Sequence, residues 1–221
     1  MTRPRFDLDD EKPGGDGVAA TTVPRFAPDR ERLARGSGPP VSTLAIGMAV
    51  LLGSLTMLFV GFIGAYIVLK FSAPAWPPPG TPVMPAGLWG STALLVLCSA
   101  ALHRGLAGVR RGDDRALRRG IALATAFGLA FLALQAYSWA GLFSAGMTLQ
   151  SDLYGAMFYT LTGAHAAHVL GGIAILLTVL ARAFGGRYSS ASYGGVGACA
   201  AYWHFLGAVW IVIFLLLVVF P

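Results

Sequence analysis

Charge is what this 221-residue sequence has least of: 12% of its residues are Asp, Glu, Lys or Arg, against 56% hydrophobic ones. That ratio excludes an ordinary soluble domain, in which about a quarter of the residues are charged. The scarcity is also uneven, since seven of the ten acidic residues precede residue 40. Beyond that point no Asp, Glu, Lys or Arg falls inside a long apolar run; Asp152, Lys70 and Arg182 stand at the margins. Ion and proton pathways through a bilayer are usually marked by such groups, so a transporter or channel acting alone lacks its strongest sign. An internal repeat, the mark of transporters built from inverted halves, is missing too. Cysteine is limited to Cys98 and Cys199, both within apolar runs and without paired-motif spacing. They read as small buried hydrophobes rather than a disulfide or metal site. A basic start followed by an apolar core is absent, so the chain is expected to enter the membrane uncleaved.

What is present is length of apolar sequence. A spanning helix needs about 20 largely apolar residues, because the hydrocarbon core is about 30 Å thick. Five segments qualify: Val41 to Leu69, Gly87 to His103, Gly120 to Leu142, Tyr154 to Ala181 and Gly195 to Phe220. The expected fold is therefore all-α, a five-span membrane bundle over residues 41–221. Residues 1–40 mix charge, Gly and Pro without apolar periodicity and are expected to form a disordered tail. Between the first two spans, "SAPAWPPPGTPVMPA" carries six prolines, which remove amide donors and predict an ordered interfacial loop.

The basic residues set the orientation. The tail, the second connection (Arg104, Arg110, Arg111, Arg115, Arg118, Arg119) and the fourth (Arg182, Arg187) hold fifteen of the sixteen, and Lys70 stands alone on the other side. Basic residues collect in cytoplasmic segments, which predicts a cytoplasmic N-terminus and, after five spans, a periplasmic C-terminus. The net charge of +6 then reflects topology and anionic lipid rather than nucleic-acid binding. Trp76, Trp89, Tyr137, Trp139 and Tyr154 lie near the predicted outer boundary, as anchoring aromatic rings do.

Histidine is the remaining polar chemistry at depth. His165 and His168 lie about 16 and 20 Å along the fourth span from its outer end, and His204 about 14 Å along the fifth from its inner end. Their depths are compatible with one cluster. His165 and His168 are also i, i+3 neighbours, with Thr162 one turn above. Zinc or copper accepts imidazole ligands, but a closed site needs a fourth ligand and no thiolate or carboxylate lies at that depth. Hydrogen-bonded packing is the expected role, since polar groups in lipid must find partners. His103, beside Arg104, reads as a boundary residue.

"FYTLTGAHAAHVLGG", the Arg182 that follows it, and "YWHFLGAVW" resemble the last two helices of subunit III of the heme-copper oxidases. "LALQAYSWAGL", "WPPPGTPVMPAGL" and "GFIGAYIVL" extend the likeness over about residues 44 to 220. The resemblance implies an accessory subunit of the five-helix bacterial type, in the inner membrane, that binds neither heme nor copper and lies against a catalytic subunit I, with subunit II in the same complex. Heme and copper are then expected in those partners. It further implies phospholipids in a V-shaped cleft and support for proton-coupled oxygen reduction. On that basis His165, His168 and His204, with Thr162, Tyr159 and Trp203, are structural contacts, and Arg182 meets a lipid headgroup.

Three positions depart from the family pattern, all in one direction. Leu55, Ser138 and Gly207 stand where the family commonly has acidic residues, so the membrane glutamate's proton-related role does not carry over. The expected electron donor is cytochrome c, although quinol-using relatives and the accessory protein of nitric oxide reductases share these motifs. A bridging role of the tail in a larger respiratory assembly would add to this reading.

Overall fold

A computed structural model describes residues 43–221; the N-terminal segment expected to be a tail lies outside the described residues. Five helices follow one another: α1 Thr43–Ser72, α2 Gly87–Arg110, α3 Asp114–Ser144, α4 Leu153–Phe184 and α5 Gly194–Phe214, the last continued by a π-helical turn, Leu215–Val219. All are long and apolar enough to cross a membrane, and no β-strand occurs among the described residues. Helices suit this setting because each backbone group is satisfied within its own segment. Hydroxyls do the same locally: those of Thr56, Thr125, Ser138 and Thr178 each donate to the carbonyl four residues earlier.

The second span is longer than its apolar stretch suggests. It runs to Arg110 rather than stopping at His103, because Leu102, Leu106 and Val109 continue its buried face past the first arginine. Arg104 and Arg110 therefore ride on α2, and Arg115, Arg118 and Arg119 on α3. The connection between them shrinks to residues 111–113. Gly112 takes the left-handed φ of +76° that closes it, and Asp113 caps α3 by accepting from the Ala116 amide at 2.9 Å.

Helices α2, α3, α4 and α5 pack in a ring in chain order, with α5 returning to α2 and α1 lying outside against α5 and α4. The α2–α3 pair is the most intimate because small residues face each other along its length. A Cβ placed on Gly120 would lie 2.5 Å from the Gly105 Cα, so the two backbones touch there. Near the other end, a Cβ on Gly87 would meet the Ser138 hydroxyl at 2.6 Å. Close backbone approach through small residues substitutes for the hydrophobic drive that lipid does not supply between helices.

α1 buries only Leu55, Phe59 and Tyr66 and is held at its C-terminal end by polar contacts. Tyr66 donates to the Leu216 carbonyl at 3.0 Å, and Lys70 donates to Phe220 and Pro221 carbonyls at 2.7 and 2.8 Å. Tyr154 adds a bond to the Leu217 carbonyl at 3.1 Å. Leu216 and Leu217 lie in the last turn, whose carbonyls an ending helix leaves without intrahelical donors. Trp76 donates to the Tyr66 hydroxyl and stacks edge-on between Tyr66 and Tyr154, at 5.3 and 5.4 Å. Trp76 and Tyr154 are thus internal braces rather than interfacial anchors, whereas Trp89 and Tyr137 are exposed as expected. Cys98 and Cys199 are buried and unpaired, the Cys98 thiol donating to the Ala124 carbonyl at 3.2 Å.

Candidate functional site

His165 occupies the centre of the bundle. It projects from α4 with no exposed surface. Phe59 from α1, Phe131 from α3 and Trp210 from α5 surround its ring at centroid distances of 6.4, 5.8 and 5.0 Å. Trp210 in turn donates from Nε1 to the Thr92 hydroxyl of α2 at 3.0 Å. All five helices therefore meet through one imidazole and its aromatic neighbours. The expectation of a hydrogen-bonded histidine fails here, since neither ring nitrogen has a partner. Aromatic edges and faces fill every side, which leaves packing as the interaction that holds this ring.

His168, one turn on, is half-buried, with Nδ1 2.7 Å from the Ala164 carbonyl and its ring 5.4 Å from Phe59. Its own backbone carbonyl accepts from the Tyr202 hydroxyl at 3.0 Å. Thr162 does not join the imidazoles, because its hydroxyl is satisfied by the Phe158 carbonyl at 2.7 Å. Tyr159 ties α4 to the preceding connection through the Met147 carbonyl at 2.8 Å. Trp203 donates to the Gly172 carbonyl at 3.3 Å and lies over Gly128 and Gly172, where side chains would intrude.

His204 lies elsewhere. It is exposed on the outer surface, in a groove of about 250 Å³ between α2 and α5 that Thr92, Val96, Ser99 and Gly207 also line. The expected three-histidine cluster is corrected for a rotational reason. The inward face of α5 runs Cys199, Trp203, Leu206, Trp210, Ile213, and a residue one position past Trp203 turns about 100° away from it. Thr92, Ser99 and the exposed His103 recur at spacings of seven and four on α2, so His204 shares a surface with α2 rather than with the α4 pair. Thr92, Ser99, His103 and His204 form a polar stripe on this face.

Arg182 and Arg187 line a separate depression of about 470 Å³ with Tyr188, Ser192, Gly194 and Leu44. The three neutral positions differ in setting. Leu55 is buried, Ser138 is buried against Gly87, and Gly207 opens onto the outer groove, where a Cβ would stand 3.6 Å from the Ser99 hydroxyl.

Among the described residues no group of three His, Cys, Asp or Glu is arranged to hold a metal ion. What this arrangement offers is a rigid apolar bundle with a polar stripe and basic clusters on its outside. The family model for cytochrome c oxidase subunit III matches residues 38–220. The chain belongs to that family. It is 37% identical to the cytochrome c oxidase subunit 3 of Synechocystis sp. over 172 residues, covering 77% of this chain and 72% of that relative. The subunit 3 of Thermostichus vulcanus is 33% identical over 78% of this chain and 85% of its own length. That of Corynebacterium diphtheriae is 31% identical over 78% and 85%. The subunit III assignment makes the chain a multi-pass membrane component of a respiratory oxidase complex.

Sequence reading had singled out the α4 histidines and "YWHFLGAVW", yet it missed the partners that define the centre. Phe59, Phe131 and Thr92 each come from a different helix, and spacing within one helix does not reveal what stands opposite it. Trp210 was within reach, because its spacing of seven from Trp203 marks one helical face.

Proposed function

We propose that the chain is the non-catalytic subunit III of a bacterial cytochrome c oxidase, supporting a catalytic subunit I that carries heme and copper and reduces oxygen to water with proton translocation. The names of its relatives support cytochrome c as the donor. Its arginines gather at one end of the bundle, which supports an N-terminus in the cytoplasm, residues 1–40 as a cytoplasmic tail, and residence in the plasma membrane. Phospholipids complete the unit, with Arg182 and Arg187 as headgroup contacts.

The observation that carries the partner assignment is the outward-facing His204. Ionisable side chains at membrane depth almost always face protein or water rather than hydrocarbon. An exposed imidazole beside His103, Ser99 and Thr92 is therefore a surface awaiting a polypeptide with hydrogen-bonding groups. Subunit I docks on this α2–α5 face, with subunit II in the same complex. Photo-crosslinking residues introduced at Val96 and Ile211, on this face, should capture subunit I in native membranes. The same probe at Leu129 and Leu177, exposed on α3 and α4, should not. Capture from the second pair and not the first would place the partner elsewhere.

A further inference from the structure

Four of the five arginines of α2 and α3 divide into two pairs. Arg110 lies over the Tyr193 ring at 5.7 Å. Arg118 donates to the Ala183 carbonyl at 3.1 Å and lies over Phe184. Both tie the hairpin to its neighbours. Arg104 and Arg119 make no such contact among the described residues, yet they line one cavity of about 410 Å³ on the outside of the α2–α3 pair. They stand at one level: seven residues before the connection and six after it, about 10 Å along each helix. Below them the cavity is apolar, walled by Leu97, Ala100, Leu123 and Phe127 with Gly120 at its floor. It runs about 10 Å further along the helices, from Arg104 to Leu97.

The floor exists because Gly120 and Gly105 touch backbone to backbone, and Ala100, Ala101 and Ala116 leave the space above them unfilled. The result is a slot with two cations at its mouth and hydrocarbon walls beneath. Guanidinium forks match phosphate oxygens, and long arginine stems let the charge reach the interface while their methylenes stay in the apolar layer. We infer that this slot binds one anionic phospholipid, its phosphate held between Arg104 and Arg119 and an acyl chain lying along Leu97, Ala100, Leu123 and Phe127. The site is separate from the Arg182 depression on the α4–α5 side and does not depend on which partner the bundle has.

The test uses the complex purified in mild detergent through a tag on this chain, stripped of lipid and offered phosphatidylglycerol, phosphatidylcholine or inorganic phosphate. Native mass spectrometry counts bound lipid, and heme content is read from the same samples. Wild type should bind phosphatidylglycerol in preference to phosphatidylcholine. Arg104→Gln with Arg119→Gln should weaken phosphatidylglycerol by roughly thirtyfold, as the loss of two interfacial basic contacts predicts. Arg104→Lys with Arg119→Lys should retain most of it, which separates charge from misfolding. Ala100→Trp, which fills the exposed slot and leaves both arginines, should abolish lipid binding and leave inorganic phosphate able to bind. Phosphatidylglycerol binding unmoved by the Gln pair would overturn the site. Binding unmoved by Ala100→Trp and displaced by inorganic phosphate would reduce it to an anion contact and overturn the lipid claim. Heme absent from wild type would count against the oxidase reading and leave the lipid result standing.

Discussion

Replacing Gly120 with Ala is the sharpest perturbation of this bundle. A single methyl group there would lie 2.5 Å from the Gly105 Cα, 2.7 Å from the Gly105 nitrogen and 2.8 Å from the Ala101 carbonyl oxygen. All three atoms are backbone, so no side chain can swing aside and α2 must move away from α3. Overpacking of this kind costs about 1–3 kcal/mol and more when backbone must shift, whereas the helix-propensity gain of Gly→Ala is at most about 1 kcal/mol. A net loss of about 1–2 kcal/mol follows, with the clash on backbone placing the cost in the upper part of that range. The reverse substitution site supplies an internal scale. A Cβ on Gly105 meets Gly120 Cα at 3.3 Å and the Leu117 carbonyl at 3.4 Å, so Gly105→Ala should cost less than Gly120→Ala. Gly53, with nothing within 4 Å, should accept Ala with no loss. The assay is the midpoint of thermal unfolding of the purified subunit in detergent, followed by tryptophan fluorescence. Gly120→Ala as stable as wild type, or Gly53→Ala as damaging as Gly120→Ala, would refute the packing argument.

Trp210→Phe keeps an aromatic ring against His165 and removes the bond to Thr92, so unfolding measured in the same way should show a loss of about 1–2 kcal/mol. His204→Leu removes only an outward-facing group; the isolated subunit should keep its stability within about 0.5 kcal/mol. Its retention by the catalytic subunit during detergent washing should fall severalfold, and unchanged retention would count against the α2–α5 docking face. Leu55→Glu places a carboxylate at a buried position of α1. It should lower the subunit's stability by about 2.5 kcal/mol or more, given the insertion cost of an acidic side chain at helix centre. The proton-to-electron ratio should not rise, and a clear rise would restore the proton-related role to this helix.

Five spans were legible because bilayer thickness imposes a length that composition alone reveals. Their ends were less so. Arg104 looked like the start of a connection, but an arginine can carry its charge outward along a flexible stem while the helix beneath it continues, and the buried leucines beyond it keep α2 going to Arg110. The α4 histidines were visible as a motif, and the buried stripe of α4 does include His165, with Leu161, Thr162, Val169 and Gly172, but not His168. For α5 depth was read without rotation. That helix is apolar nearly all round, so polarity gave no clue to its inward face, and only the spacing of Trp203, Leu206 and Trp210 showed that His204 points the other way. The docking stripe and the α2–α3 slot were invisible for a different reason: each is made by two helices, α2 with α5 and α2 with α3, and no single segment contains it; in the slot the register is set by Gly105 against Gly120 and Gly87 against Ser138.

That this bundle works as part of an oxidase, and not alone, is tested most directly by what it brings with it. Membranes should be solubilised gently, the chain captured, and the visible spectrum, protein composition and oxygen uptake of the captured material recorded together. Heme absorption, a heme-copper catalytic subunit, and oxygen consumption sustained by reduced cytochrome c should appear together if the bundle is an oxidase subunit. A chain recovered without heme or partner, from membranes whose oxidase remains intact and active, would contradict it.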